Sequence, residues 1–189
     1  MPRDVAGRDE LLPALGEVFR AHGYEGASLT AITAATGLGK GSLYHYFPGG
    51  KEEMAQAVLQ HIDAWFQSAV FTPLRRTEPP RQGIRDTLDA VERYFQSGQR
   101  VCLVGAMALD DSRDRFAAQV REYFSDWIEA LAQALRRAGH SQGEARALAE
   151  EAVAAIQGAL VLARAADQRA VFGRVLRRTA ARLLRAPAA

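Results

Sequence analysis

Two short helical stretches separated by a glycine, between Thr30 and Lys51, constrain the fold of this chain more than any other segment. The segment reads TAITAATGLGKGSLYHYFPGGK, and Gly37 lies where the first helix has to end, because glycine adopts a positive φ without steric cost. The hydroxyl of Thr30 is predicted to cap the first helix. The apolar side chains predicted to hold the two helices together at an angle are Ile32, Leu38, Leu43 and Tyr46. The pattern predicts a helix-turn-helix.

The second helix of this motif is predicted to run from about Gly39 to Phe47, with an outward face that is polar but almost uncharged. Lys40 is the one formal charge between Gly26 and Gly50. An ordinary surface helix carries Glu, Lys and Arg on its outer face, so this face is suited to contact with a partner. Its outward positions are Lys40, Gly41, Ser42, Tyr44, His45 and Tyr46.

The distribution of charge favours local contacts over bulk attraction to a polyanion. Of the 24 basic residues in the chain, only Lys40 and Lys51 are lysines, and they bracket the second helix. A lysine ammonium is a flexible point charge that suits a phosphate group. Residues 1–51 carry five basic and five acidic groups, so their net charge is zero. Binding of this segment to a phosphate backbone therefore has to depend on individual contacts and not on net charge.

The stretch TGLGKGSLYHYFPGGKEEM resembles the DNA-binding signature of the tetracycline-repressor (TetR) family, and its FPGGK portion resembles the LmrA/YxaF-like branch. The resemblance implies an all-α homodimeric repressor that leaves a palindromic double-stranded DNA operator when a small molecule binds. It implies a three-helix DNA-binding domain at residues 1–50 and a helical ligand-binding and dimerisation domain at residues 51–189. The DNA contacts that it implies come from Thr30, Lys40, Gly41, Ser42, Tyr44, His45, Tyr46 and Lys51.

Helical periodicity outside the motif predicts an all-α fold. Apolar residues at three- and four-residue spacing predict one helix that ends at Gly23 and another over residues 51–70. Residues 71–83 contain three prolines and are predicted to form a loop. The apolar run at residues 101–107 is interpreted as a buried helix because its neighbours are helical, and a further helix is predicted over residues 114–137.

The last two predicted helices, residues 141–166 and 167–185, are expected to form the homodimer interface. Each has an apolar stripe rich in small residues, which permits close approach of helices, and two such pairs can form a four-helix interface about a two-fold axis. The stripes are Leu148, Ala152, Ile156, Ala159 and Ala163 on the first helix and Phe172, Val175, Leu176, Thr179 and Leu183 on the second.

Candidate effector-binding residues are aromatic or sulfur-containing side chains on the predicted helices of the C-terminal part. Such side chains suit a small apolar or aromatic molecule. The candidates are Trp65, Phe95, Cys102, Met107, Phe124 and Trp127.

Several other classes of protein are disfavoured by what the sequence lacks. No run of about twenty apolar residues predicts a membrane span, and the N-terminus lacks the apolar core of a secretory signal. A single cysteine fits a cytoplasmic protein. The four histidines show no metal-ligand spacing, and neither a phosphate-binding loop nor a nucleophile with a base is visible, so we expect neither enzyme activity nor a cofactor.

Two alternatives remain at the level of the sequence. One is a regulator that responds to oxidation of Cys102, although its apolar neighbours argue against a reactive thiol. The other is a helical small-molecule-binding protein or enzyme whose helix-turn-helix is vestigial. Peroxide sensitivity tests the first, and absence of specific duplex binding would favour the second.

Overall fold

The computed structural model describes residues 7–186, and its regular structure is helical with no strand in that range. The all-α prediction is therefore confirmed. The first helix, α1 (Arg8–Gly26), buries a stripe at helical spacing that includes Leu11, Leu15 and Phe19. Gly23, with φ of 68°, interrupts its last turn, and the chain changes direction there at a residue without a Cβ.

The predicted motif follows as α2 (Leu29–Thr36) and α3 (Lys40–Tyr46), and a longer helix, α4 (Gly50–Phe66), comes next. Two acidic residues, Glu52 and Glu53, lie in the first turn of α4. Their charge is favourable there because the amide groups at a helix N-terminus carry a partial positive charge.

The prediction of a loop over residues 71–83 is wrong for most of that segment. A π-helical turn (Gln67–Phe71) continues α4 directly into α5 (Thr72–Arg76), and α6 (Pro80–Tyr94) begins soon after. Prolines in this segment lie in the first turns of α5 and α6, where a missing N–H group costs no helical hydrogen bond. The sequence pattern was interpreted as helix-breaking although these prolines start helices.

The remaining helices are α7 (Leu103–Met107), α8 (Ala117–Arg137), α9 (Gln142–Ala165) and α10 (Arg169–Leu183). The interpretation of residues 101–107 as a buried helix is confirmed for Leu103–Met107, which are helical and bury Leu103, Val104 and Met107, whereas Val101 and Cys102 precede the helix. Ser141 caps α9 by accepting a hydrogen bond from the Glu144 amide at 3.3 Å.

The described chain divides into two compact units. The first contains residues 7–63 and 103–120, and the second contains residues 64–102 and 121–186. The segment 103–120 therefore packs with the N-terminal helices although it lies in the second half of the sequence. The assignment of residues 1–50 to DNA binding and of 51–189 to ligand binding and dimerisation remains a prediction about function.

The second unit has an aromatic core around Phe66. The Phe66 ring lies 4.8 Å from that of Tyr123, 5.0 Å from that of Tyr94 and 5.3 Å from that of Trp127, measured between ring centroids. Phe66 is fully buried, so these edge-to-face and tilted contacts fix the junction of α6 and α8 with the end of α4. Within residues 7–186, no helix has the length and apolar character needed to span a membrane.

Candidate nucleic-acid interface

The first helix of the motif is capped by Ser28, not by Thr30 as predicted. The Ala31 amide donates a hydrogen bond to Ser28 Oγ at 3.1 Å, which satisfies one of the free amides of the first turn of α2. Thr30 lies inside the helix with an exposed side chain, and its carbonyl accepts a hydrogen bond from Thr33 Oγ1 at 2.9 Å. The hydroxyl of Thr30 therefore remains free of a capping role.

The turn between α2 and α3 has the predicted glycine geometry. Gly37 is left-handed, with φ of 70° and ψ of 8°, and its amide donates to the Thr33 carbonyl at 2.9 Å. Gly39 caps α3 without a side-chain hydrogen bond. Ile32 and Leu43 are buried on the two helices, whereas Leu38 and Tyr46 are only partly buried.

The outer face of α3 is exposed, and the apolar residues on its opposite side are buried. Leu43 and the residue after the helix, Phe47, have no exposed surface. Tyr44 is 49% exposed, while Tyr46 is half-buried with its ring 5.5 Å from that of His45. A Cβ at Gly41 would meet nothing within 4 Å, so a partner has free access to the backbone there. The exposed side chains on this face are Lys40, Ser42, Tyr44 and His45.

The turn that leads from α3 to α4 is held by a network that the sequence analysis missed. Glu53 accepts a hydrogen bond from the Gly49 amide at 2.8 Å, and its other oxygen accepts one from Arg8 at 2.8 Å. The Arg8 guanidinium also lies 4.9 Å from the centre of the Phe47 ring. The start of α1 thereby holds the turn in place. The sequence signal for this network is a glutamate three residues after Gly50, which can accept a hydrogen bond from a backbone amide at the start of the helix.

Lys51 is partly exposed but already has partners. Its Nζ donates to the Glu25 carbonyl at 3.3 Å and lies 3.7 Å from a Glu25 carboxylate oxygen. The same ammonium lies 4.5 Å from the centre of the Tyr24 ring. The Tyr44 ring packs near Gly50, at 3.5 Å from the position of a Cβ there, so Lys51 begins its helix next to the exposed face of α3.

Arg115 completes this cluster from the segment between α7 and α8. Its Nη1 donates to Glu52 Oε2 at 2.6 Å, and its guanidinium carbon lies 5.5 Å from the centre of the Tyr24 ring. The hydrogen bond to Glu52 raises the pKa of Arg115 above its ordinary value, and burial raises the pKa of Tyr24. At neutral pH the cluster therefore holds a cationic guanidinium and an uncharged phenol.

The candidate effector residues do not form a single set. Trp65, Phe95, Cys102, Phe124 and Trp127 belong to the second compact unit, whereas Met107 belongs to the first. Phe95, Cys102, Met107 and Trp127 are buried, and Trp65 and Phe124 are partly exposed. Cys102 Sγ lies 3.6 Å from Gln157 Nε2. Residues 7–186 contain no group of three or more His, Cys, Asp or Glu side chains arranged to hold a metal ion.

The geometry of α3 is that of a helix able to read the edges of bases. Its exposed hydroxyl and imidazole groups both donate and accept hydrogen bonds, and an α-helix fits the DNA major groove, where each base pair presents a distinct pattern of such groups. A lysine at each end of the exposed face can pair with phosphates, which set the register of the protein on the duplex.

Comparison with known proteins identifies both parts of the chain. Residues 11–58 match the bacterial regulatory proteins of the tetR family, and residues 80–178 match the C-terminal domain of LmrA/YxaF-like transcriptional regulators. The second match alone covers more than half of the chain. It includes α6, α7, α8, α9 and most of α10.

Individual relatives agree with these matches. The chain is 26% identical to the HTH-type transcriptional regulator LmrA of Bacillus subtilis (82% of this chain and 85% of LmrA) and 28% identical to the repressor DhaR of a Mycobacterium species (82% and 80%). A TetR-family regulator from Agrobacterium tumefaciens has the same fold, with a TM-score of 0.78 at 22% identity (93% and 96% covered). A cysteine variant of CifR bound to 26-base-pair operator DNA has a TM-score of 0.75 at 26% identity (95% and 97% covered). This chain belongs to the TetR family of DNA-binding transcriptional regulators, in its LmrA/YxaF-like branch.

Proposed function

We propose that this protein is a dimeric, ligand-responsive repressor that leaves a palindromic operator when a small molecule binds its C-terminal domain. The observation that carries the proposal is the outer face of α3, which is exposed, uncharged except for Lys40, and anchored by the fully buried Leu43 and Phe47. The buried residues matter because a side chain that reads a base has to be held in a defined position. A protein that acts on chromosomal DNA works in the bacterial cytoplasm.

Base reading is assigned to three exposed side chains of α3. The hydroxyls of Ser42 and Tyr44 and the imidazole of His45 can hydrogen-bond base edges or pack on a thymine methyl group. Gly41 allows the backbone of α3 to approach the duplex because no side chain intervenes. Phosphate contacts are assigned to Thr30, Lys40, Tyr46 and Lys51.

The dimer surface is assigned to exposed apolar residues of α9 that differ from the predicted stripe. Leu148, Ala152, Ile156, Ala159 and Ala163 are all buried within the chain, where α9 packs against α10. The first half of α9 exposes charged residues, among them Glu144, Arg146 and Glu150, but the second half exposes mainly apolar ones, with Arg164 as the charged exception. We name the latter the α9 stripe; it consists of Ala154, Gly158, Val161, Leu162 and Ala165.

The composition of the α9 stripe supports a two-fold interface there. Val161 and Leu162 are 63% and 57% exposed, and contiguous exposed apolar residues mark interaction sites. Ala154, Gly158 and Ala165 permit the close approach of a second helix. Two copies would place two α3 helices on half-sites separated by about 34–36 Å along the duplex, which is one turn of DNA.

Selection of bound duplexes from a random DNA pool at near-physiological salt tests this function. The wild-type protein is expected to enrich a palindrome, and a Tyr44→Ala variant is expected to retain DNA without enriching that sequence to the same extent. A folded wild-type dimer that enriches no sequence would refute the proposal and favour the alternative of a small-molecule-binding protein. An enriched palindrome would also provide the operator for effector screening.

The effector is expected to be small and apolar or aromatic, bound among the aromatic side chains of the second unit. Coupling is reciprocal, so a ligand that lowers operator affinity must itself bind the operator complex more weakly by the same factor. A compound that releases the operator, yet binds the protein equally well with and without DNA, would act by another route. One such route is binding of the compound to the DNA itself.

Substitution of Lys51 by Ala is expected to weaken binding to every duplex by a similar factor. A phosphate contact carries no base information, and losing one reduces the slope of log affinity against log salt by about one unit. Affinity for the selected operator and for single-base variants, each measured at several salt concentrations, checks this. An unchanged slope would mean that the ammonium stays with Glu25 and Tyr24 in the complex, and a loss confined to one base pair would contradict the phosphate assignment.

Peroxide is expected to leave operator affinity unchanged within about twofold, in both the wild-type protein and a Cys102→Ser variant. Oxidation of a thiol requires access, and Cys102 is only 6% exposed. Operator binding before and after treatment with peroxide and then with reductant measures this. A reversible loss in the wild type that the variant lacks would support the redox alternative.

A further inference from the structure

Tyr24 is the centre of a charged cluster that joins three separate segments of the first unit. Its ring is 5% exposed and packs against Phe116 at 5.1 Å between ring centroids. The Lys51 ammonium and the Arg115 guanidinium both lie against this ring, at 4.5 and 5.5 Å. Tyr24 directly follows Gly23, whose φ is 68°. The cluster is therefore a built feature of the unit and involves residues from α1, α4 and the segment before α8.

Each cation of the cluster has its own carboxylate. Lys51 pairs with Glu25 at 3.7 Å, and Arg115 pairs with Glu52 at 2.6 Å. The Glu52 side chain is 43% exposed and directly follows Lys51 in sequence. In the structure this carboxylate pairs with Arg115, while Lys51 pairs with Glu25.

The pairing of Glu52 with Arg115 matters for DNA binding because of where Glu52 lies. It is in the first turn of α4, next to a residue assigned to a phosphate. An unpaired carboxylate there repels an approaching phosphate. Pairing with a guanidinium removes most of this penalty, because the two opposite charges cancel at the distance of the duplex.

We propose that Arg115, which lies outside the helix-turn-helix, is a positioning residue for DNA binding that neutralises Glu52 and so lowers the repulsion between the first turn of α4 and the phosphate backbone. This inference rests on the proposed function. In this role Arg115 does not itself contact DNA. It acts through Glu52 and, by way of the Tyr24 ring, on the first turn of α4.

The test is a double-mutant cycle on operator affinity at low salt with the full-length protein. Arg115→Gln is expected to weaken binding about fivefold, the upper range for an exposed ion pair, and to do so equally for the operator and for its single-base variants. Glu52→Gln is expected to strengthen binding about twofold, because it removes a negative charge near phosphates. The double variant is expected to return to within about twofold of the wild type, since the carboxylate that Arg115 neutralises is gone.

Two further variants separate this role from bulk charge and from folding. Arg113→Gln removes the same charge from an exposed position two residues away on the same segment, and it is expected to change affinity by less than about twofold. Arg115→Lys retains a cation and is expected to recover most of the affinity lost in Arg115→Gln. Thermal unfolding of each variant checks that the fold is intact.

The outcomes are distinguishable. Wild-type affinity in Arg115→Gln overturns the inference, and so does a loss that persists in the double variant, which would mean that Arg115 contacts DNA or supports the fold. An equal loss in Arg113→Gln also overturns it, because bulk charge would then explain the effect. Failure of the wild-type protein to bind any specific duplex would instead refute the proposed function, and it would be seen before any variant is compared.

Discussion

A Leu162→Glu variant is expected to be monomeric at micromolar concentration and to bind the palindromic operator at least about 100-fold more weakly than the wild-type protein. The loss is large because two linked readers bind with an avidity of about 10²–10⁴ relative to one, and a monomer has only one. Sedimentation of the free protein and titration of the operator measure the two effects separately.

The physical reason lies in the position of Leu162 on the α9 stripe. Its side chain is 57% exposed in one chain, so a partner has apolar surface to cover. Burying such a side chain is worth about 1.5–3 kcal/mol, and a two-fold axis doubles every gain and every penalty. Glutamate at this position would bring two unpaired carboxylates into the interface, where burial of a charge without a partner is strongly unfavourable.

A matched control uses the same change of charge at the other end of α9. Gln142→Glu lies in the exposed first turn, where a negative charge favours the helix, so this variant is expected to remain dimeric with wild-type affinity. A Leu162→Glu protein that stays dimeric would show that the α9 stripe is not the interface. A monomer that retains full operator affinity would show that one α3 helix suffices for binding.

The motif was predictable from sequence because its signals are local. The end of α2 at Gly37 follows from the conformational freedom of one glycine, and the exposed face of α3 follows from the spacing of Leu43 and Phe47. The cap was misassigned to Thr30 because Ser28 and Thr30 are both good capping residues. The choice between them depends on where the first helical turn begins, which short-range patterns define only within a few residues.

The contacts that hold the candidate site were not predictable, because they join residues far apart in sequence. The Arg8 to Glu53 and Arg115 to Glu52 pairs span 45 and 63 residues. Sequence periodicity identifies such charged residues only as surface residues and gives no sign that they pair with each other. Only the packing of residues 103–120 with the N-terminal helices brings Arg115 to the start of α4.

The proposed dimer surface shows a limit of sequence periodicity. The stripe predicted on α9 is real, but a stripe of apolar residues does not reveal whether it packs inside the chain or against a partner. The structure shows that α10 covers it and that Val161 and Leu162 remain exposed on another face. Sequence periodicity identifies the most apolar face of a helix, and that face packs against the rest of the same chain.

A Gly98→Ala variant is expected to lower the free energy of unfolding by about 3 kcal/mol, a large fraction of the stability of an ordinary domain. Gly98 follows Gln96 and Ser97, which have φ of 50° and 53°, and its own φ of 92° lies beyond the left-handed region that other residues tolerate. A Cβ at Gly98 would lie 2.6 Å from Cβ of Phe172 and 3.2 Å from Cβ of Ala163. Neither neighbour can move away easily, because both atoms are attached directly to a helical backbone.

The same substitution at Gly143 supplies the control with the opposite sign. Gly143 is in the first turn of α9 and has nothing within 4 Å of an added Cβ, so Gly143→Ala is expected to stabilise the protein by up to about 1 kcal/mol. Chemical denaturation at one fixed protomer concentration compares the variants, because the stability of a dimer depends on that concentration. If Gly98→Ala unfolds at the wild-type midpoint, the connection between α6 and α7 must be able to shift away from α10, and the close approach of backbone to Phe172 would not be a requirement of the fold.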